Sequence, residues 1–309
     1  MIIFTDDTEF AQEIATGAAG WDSTGPEWND PCLGPLMHEL YGPRMALSCH
    51  VPNDQWSNLF LTRRAMSSQY DMLIDLSRSD CRLPDRTLCL AAEGSGFHGF
   101  RNRAWAAPAG NIYLAVYLAP NRPIDNFVAA FMSLAAVSVV EAIDSFDSLR
   151  DKAGIKWVND ILIDGAKVCG VLAHTTTEGN SVSGAILGIG LNVNTPPVVE
   201  ATSFVPKTTA MCEHVPESSL ELSSVFLSLI SCLYKNYSLM TEGNSRALID
   251  KYRERSVLIG REVEIRSDSV YSGDDFVASG VVESVGENLE LKLKGRSAPI
   301  TSGRLILVE

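Results

Sequence analysis

The chain has 309 residues, 46% of them apolar, enough to bury a substantial core in one large domain plus a small one, or in two of moderate size. Thirty-eight acidic against 25 basic side chains give a net charge of -13, which opposes attraction to nucleic-acid phosphates and argues against DNA as a partner. No unbroken apolar run reaches the roughly 18 to 20 residues of a membrane span, and the start MIIFTDDTEFAQE turns acidic where a signal peptide would be basic, so a cytoplasmic protein without a membrane partner is expected.

In chain order, residues 1–55 are rich in Gly, Pro, Trp and acidic residues, with one short helix at Thr8–Ile14 and then turn-forming stretches such as DSTGPEWNDPCLGP. They read as an extension of unknown role. From Trp56 the pattern changes: SNLFLTRRA reads as a strand, SSQYDMLIDLSRS as a helix N-capped by Ser67 or Ser68, TLCLAAE and NIYLAVYLA as strands. The segment 125–146 is apolar almost all round and should be a buried helix. Short strands follow, with hairpin signals at Asp164-Gly165 and at EGN, 178–180. An amphipathic helix at 218–240 and a continuation to Arg255 close a domain spanning 56–256. The last fifty residues, with four or five glycine-punctuated strands, read as a small SH3-like β-barrel over 257–309. The seven cysteines (32, 49, 81, 89, 169, 212, 232) are scattered without a Cys-x-x-Cys pair and read as reduced, mostly buried thiols.

Gly94, Gly96 and Gly99 stand in a GxGxxG spacing after the apolar run 88–92. A dinucleotide fingerprint requires a helix to open at the third glycine, whereas this loop runs through Arg101, Arg103 and Trp105 into a strand. What remains is either a surface hairpin or an anion cradle, in which glycine backbone N–H groups and two guanidiniums hold phosphate or carboxylate. His98, in the same loop, is either a phosphate donor when protonated or a solvated turn residue.

A second constellation favours the cradle. If Asp164-Gly165 forms a two-residue hairpin, Ile163 pairs with Ala166, Leu162 with Lys167 and Asp160 with Cys169. Asp160 and Lys167 then become diagonal neighbours on one face, about 7–8 Å apart, with room for a phosphate and its magnesium ion between them.

Three runs, Lys156-Trp157-x-Asn159-Asp160, Lys167-x-x-Gly170-Val171-Leu172 and Gly188-Ile189-Gly190-Leu191-Asn192-Val193-Asn194, resemble the successive motifs of biotin–protein ligases. Trp105 followed by AGNIYL at 109–114 fits the same pattern, Ser67-Ser68-Gln69 resembles the Ser-Thr-Asn that opens the family's first helix, and the likeness extends over about 57–309. The resemblance implies an α+β fold, with a mixed, mainly antiparallel sheet of the class II aminoacyl-tRNA-synthetase or biotin/lipoyl ligase type. It also implies activation of biotin by ATP with Mg²⁺ to biotinyl-AMP, then transfer to a lysine of an acceptor such as biotin carboxyl carrier protein. By matched position, Lys167 would bind the biotin carboxylate and α-phosphate, Arg101 and Arg103 other phosphates, and Asp160 the magnesium ion. Trp105, Asn159 and Asn192 would line the adenine side. Gly170 with apolar neighbours such as Leu172 would floor the biotin pocket, and Ser68 and Gln69 would stand near the ureido group.

The chain departs from the family in the loop, where Gly-Arg-Gly-Arg-Arg-Gly preceded by a glutamine is usual. Here Gly94-Ser95-Gly96-Phe97-His98-Gly99-Phe100-Arg101 lowers the positive charge and loses the glutamine. Phe97 and Phe100 suit an apolar acyl chain, so lipoate or octanoate stands as an alternative acid, and a non-catalytic biotin-binding relative as another. The sequence leaves the choice between monomer and homodimer open.

Overall fold

The computed structural model describes residues 1–23, 26–42, 46–78, 83–267 and 275–308; Cys81 lies outside them. β1 (Ile2–Thr5), α1 (Thr8–Ile14), β2 (Asp22–Ser23), α2 (Leu33–Tyr41) and β3 (Leu47–His50) precede β4 (Asn58–Ala65), α3 (Gln69–Ser77), β5 (Thr87–Gly94) and β6 (Ile112–Leu118). Then come α4 (Phe127–Asp144), β7 (Ala153–Lys156), β8 (Asp160–Ile163), β9 (Ala166–Glu178), β10 (Ser181–Leu191), α5 (Leu222–Leu239) and α6 (Ser245–Glu254). The chain ends in β11 (Glu262–Arg266), β12 (Phe276–Val285), β13 (Leu291–Leu293) and β14 (Arg304–Leu307).

The first ten strands form one sheet in the order β2-β3-β1-β4-β5-β6-β10-β9-β8-β7. It is antiparallel except where β4 pairs in parallel with β1 and β5. Residues 1–55 therefore complete one side of the main sheet. α1 falls where expected because the Asp7 carboxylate accepts from Phe10 N at 2.9 Å and caps it. α2 lies where only turns were expected. Asp30 Oδ1 accepts from Cys32 N and Leu33 N at 2.8 and 2.7 Å, Pro35 sits within the first turn, where its missing N–H costs no bond, and Leu33, Leu36, Met37 and Tyr41 are buried.

Two cores flank the sheet. One lies under α2 and α3 and includes Phe4, Leu36, Met37, Phe60 and Leu73. The other, under α1, α4 and α5, continues into the C-terminal strands through Leu258, Val263 and Leu289. α4 is long and apolar enough to cross a membrane, which a count of unbroken apolar runs overlooked because Ser and Glu interrupt it. It is instead a core helix, packed on α5, α6 and β9. The expected β module is a four-stranded antiparallel sheet, β13-β12-β11-β14.

Candidate active site

β7, β8 and β9 form a meander whose turns carry the site. Asp164 and Gly165 both have positive φ (50° and 79°), as a two-residue primed hairpin requires. Ile163 pairs with Ala166 and Leu162 with Lys167, as the hairpin predicts, but the register then slips, and Asp160 faces Gly170, not Cys169. Lys167 keeps its place opposite Leu162 and bonds on its other side to a distant segment: its N–H donates to Lys207 O and its carbonyl accepts from Thr209 N, both at 2.9 Å, while Val168, the extra residue at the slip, accepts from Asn192 N at 2.9 Å.

The consequence is electrostatic. Lys167 Nζ lies 2.5 Å from Asp160 Oδ1, both side chains only 16% exposed, so the expected 7–8 Å gap is closed by a buried ion pair. Lys167 Nζ also stands 5.1 Å from the centroid of the Trp105 ring. Lys156, at the end of β7 and 6% exposed, donates from Nζ to Phe204 O; burial pushes its ammonium below the usual range. It was quoted in the sequence motif but given no role, although a lysine ending the strand AGIK was a signal.

The sheet beneath these groups is glycine-paved. Gly170 and Gly190 are directly paired, and the Trp105 indole lies on both: a Cβ on Gly190 would come within 2.7 Å of it, and one on Gly170 within 3.0 Å. Gly170 is thus covered by the indole expected on the adenine side. Two pairs further along β9, Leu172 faces Gly188, whose missing Cβ makes room for the Tyr70 ring at 3.0 Å. Asn159 Nδ2 donates to Val171 O at 2.9 Å, and Asn192 Nδ2 to Thr209 O at 3.0 Å.

The glycine loop is a hairpin between β5 and β6. Gly99 N–H donates to Arg103 O at 2.7 Å and Trp105 N–H to Phe97 O at 2.9 Å. Arg101 and Asn102 at its tip have φ of 55° and 56°. His98 is held by protein groups on both ring nitrogens: its Nε2 is 2.6 Å from Asp71 Oδ2 on α3, and its Nδ1 is 3.0 Å from Gly99 O. Burial works against its charge, but the Gly99 carbonyl and the Asp71 carboxylate prevail and raise the imidazole above its ordinary range.

Most of these groups border one cavity of about 450 Å³. Arg101, Arg103, Lys167, Asp160, Ser68, Gln69, Gly99, Trp105, Asn159, Gly170, Leu172 and Asn192 all line it, whereas Gly94 and Gly96 do not. The lining also holds residues that no sequence motif marked, from the segment 197–208 and from the C-terminal sheet, where Arg304 lies 3.4 Å from the centroid of the Phe204 ring. Strand pairing near Lys167 brings the first in, and the fold's second core brings the other. Among the described lining residues Arg101, Arg103, Lys156, Lys167 and Arg304 are cationic, against the carboxylates Asp160 and Glu200. In a chain of net charge -13, this is a local concentration of positive charge. Three buried polar atoms in its wall have no hydrogen-bond partner: Gln69 Nε2, Trp105 Nε1 and Asn192 Oδ1. No cluster of three His, Cys, Asp or Glu side chains suited to a metal occurs among the described residues.

Comparison with known proteins converges on this region. Residues 66–192 match the model of the biotin/lipoate A/B protein ligase family. The bifunctional ligase/repressor BirA of Bacillus subtilis is 31% identical over 162 residues, 52% of this chain and 49% of the relative, so the chain spans about half the length of that protein. A biotin--[acetyl-CoA-carboxylase] ligase of Mycobacterium tuberculosis is 26% identical over 262 residues, 81% of this chain and 89% of the relative. The fold is that of the biotin protein ligase of Aquifex aeolicus, solved with biotin and ATP. It superposes with a TM-score of 0.63 at 20% identity and covers 82% of this chain and 99% of that one.

Proposed function

We propose that this chain, which belongs to the biotin/lipoate A/B protein ligase family through residues 66–192, activates biotin with ATP and transfers it to a lysine of a carrier domain. The observation that carries the reading is the cavity wall, where five cations stand over two carboxylates beside a buried amide donor, Gln69 Nε2, that lacks an acceptor. A triphosphate and a carboxylate repel each other until cations screen both, and this wall supplies those cations.

In the first step a biotin carboxylate oxygen attacks the α-phosphorus; the new O–P bond forms as the bond to the pyrophosphate oxygen breaks. Lys167, stacked beside Trp105, holds the carboxylate and α-phosphate oxygens; Arg101 and Arg103 hold the departing phosphates. In the second step the acceptor amine, having lost a proton, attacks the acyl carbon, an amide forms and AMP leaves. Asp160, paired with Lys167, is the base we assign to that proton. Magnesium, when bound with the triphosphate, neutralises phosphate charge. Asp160 and Glu200 suit it, because this ion takes one or two carboxylates and completes its shell with phosphate oxygens.

Biotin is favoured over octanoate by Gln69. A buried donor without a partner costs about 1–3 kcal/mol, which a ureido carbonyl recovers and a hydrocarbon tail does not. Ser68 and Gln69 open α3, whose N-cap is Ser68, and Gln69 is 2% exposed. The acceptor we infer is a carboxylase carrier domain, after the acetyl-CoA-carboxylase named for the Mycobacterium relative. The repressor activity in the Bacillus relative's name is not carried over, since half of that protein is unmatched and a charge of -13 opposes DNA. A cytoplasmic setting suits the absence of disulfides among the six described cysteines.

The test is pyrophosphate release from ATP and Mg²⁺ with biotin, lipoate and octanoate in parallel. Biotin should give release, and Lys167→Ala should lower it at least about 100-fold, as loss of one transition-state donor does. Release with lipoate alone would move the protein across the family, and silence with every acid would overturn the ligase reading.

A further inference from the structure

Gly94 looks like part of the anion cradle but stands outside the cavity, so its glycine needs another explanation. The space above its Cα supplies one. A Cβ there would lie 2.7 and 2.8 Å from two ring carbons of Phe97 and 2.9 Å from Ala65 O. The missing side chain is the seat of the Phe97 ring. From that seat Phe97 packs on Tyr113 of β6, with ring centroids 5.5 Å apart and planes 30° apart. Tyr113 is itself fixed: 5% exposed, its hydroxyl donates to Pro108 O at 2.8 Å and accepts from Asn111 Nδ2 at 3.1 Å. Both rings border the cavity, as do Gln69 and Tyr70 of α3.

The geometry points to Phe97 as a specificity-determining residue for the acid, seated by Gly94 as its positioning residue. This rests on the proposed ligase function. Gln69 offers the acid a polar contact, and the Phe97–Tyr113 pair offers a flat apolar wall on a fixed support. The wall fits a rigid acid with one apolar face and one hydrogen-bonding edge, and discriminates against flexible chains that lack the hydrogen-bonding edge. Phe97 is also where the loop departs from the arginine–glycine pattern, so this chain has its own means of choosing the acid.

The experiment is a binding cycle. Wild type, Phe97→Ala, Gly94→Ala and the double variant are each titrated by calorimetry with biotin and with octanoate, and thermal melts confirm that every variant is folded. Phe97→Ala should weaken biotin at least tenfold and octanoate less than threefold, because a flexible chain refolds into the space that a rigid bicycle cannot fill. Gly94→Ala, which unseats the ring, should reproduce that change in preference. In the Phe97→Ala background it should change the ratio of the two affinities less than twofold, since no ring remains to displace and the strain against Ala65 O acts on both acids alike. Phe97→Tyr should restore the wild-type preference. Equal losses for both acids, or multiplicative changes of that ratio in the double variant, would overturn the inference while leaving the ligase reading intact. Wild type binding neither acid would remove both.

Discussion

The two ends of the chain differ in a way that separates continuity from proximity. The N-terminal 55 residues are woven into the main sheet: β1 bonds to both β3 and β4, and the Tyr41 hydroxyl, buried, donates to Phe4 O at 2.9 Å and to Leu61 O at 3.2 Å. None of the described residues among them borders the cavity. The C-terminal residues form a sheet of their own, yet Asn288, Leu289 and the stretch 301–305 all border it. The C-terminal sheet is held in place by Trp157 Nε1 donating to Leu289 O at 2.6 Å and by the core shared through Leu258 and Val263. One end is continuous with the main sheet and stays clear of the cavity; the other forms a sheet of its own and borders it.

The sharpest way to break this comparison is to remove each end. Deleting residues 1–55 should abolish the cooperative thermal transition, because it strips β1 from β4 and opens the core around Phe60 and Leu73. Deleting 260–309 should leave a transition, measured by circular dichroism, but eliminate ATP binding. An N-terminal deletion that melts cooperatively and binds biotin normally would refute the contrast. Next in size, Arg304→Ala should raise the KM for ATP about tenfold, the cost of one charge-assisted contact near 1.4 kcal/mol, with little change in melting temperature. Tyr41→Phe should do the reverse, costing about 1 kcal/mol in urea unfolding and leaving kcat/KM unchanged.

The smallest effect lies between the N-terminal residues and the glycine loop. α2 packs on α3, and α3 carries Asp71, which pairs with His98 of the loop. Because the folded imidazole titrates above its ordinary value near 6.5, the pair's stabilisation is fully present below that value and is lost as pH rises through the raised one. Asp71 is 47% exposed, so the contribution should lie within the ~0.2–1 kcal/mol of surface pairs. Melting temperatures of wild type and Asp71→Asn should differ in mild acid and converge in alkali; a constant offset would assign the Asp71 effect to packing.

The sequence made the meander legible because a turn residue pair and period-two apolar alternation are local signals. The ion pair between Asp160 and Lys167 was misjudged in distance, since the turn signal fixes the register only as far as Lys167, and neither the slip at Val168 nor the directions of the two side chains is written in it. α2 was missed for a similar reason: proline and glycine mark it as turn, and burial against Phe4 and Phe60 overrides them. Cavity-lining residues on motifs, such as Lys167, Trp105 and Asn192, were anticipated. Those on the 197–208 segment and the C-terminal sheet were not, because their place in the wall depends on tertiary packing. The glycines were read as one cradle, yet Gly94 serves a phenyl ring and Gly170 and Gly190 an indole.

The margins of the ten-stranded sheet carry a consequence for behaviour at high concentration. At one margin β2 is only two residues, Asp22 and Ser23, both exposed. At the other, the middle of β7 is already occupied by the chain itself, with Ile155 N–H donating to Arg255 O at 2.7 Å and Val257 N–H to Ile155 O at 3.0 Å. Among the described residues neither margin presents a long row of unsatisfied backbone groups, the template on which sheets polymerise into aggregates. The backbone of this sheet is therefore closed to edge-to-edge growth, and the closing is done by a two-residue strand at one margin and by the linker after α6 at the other.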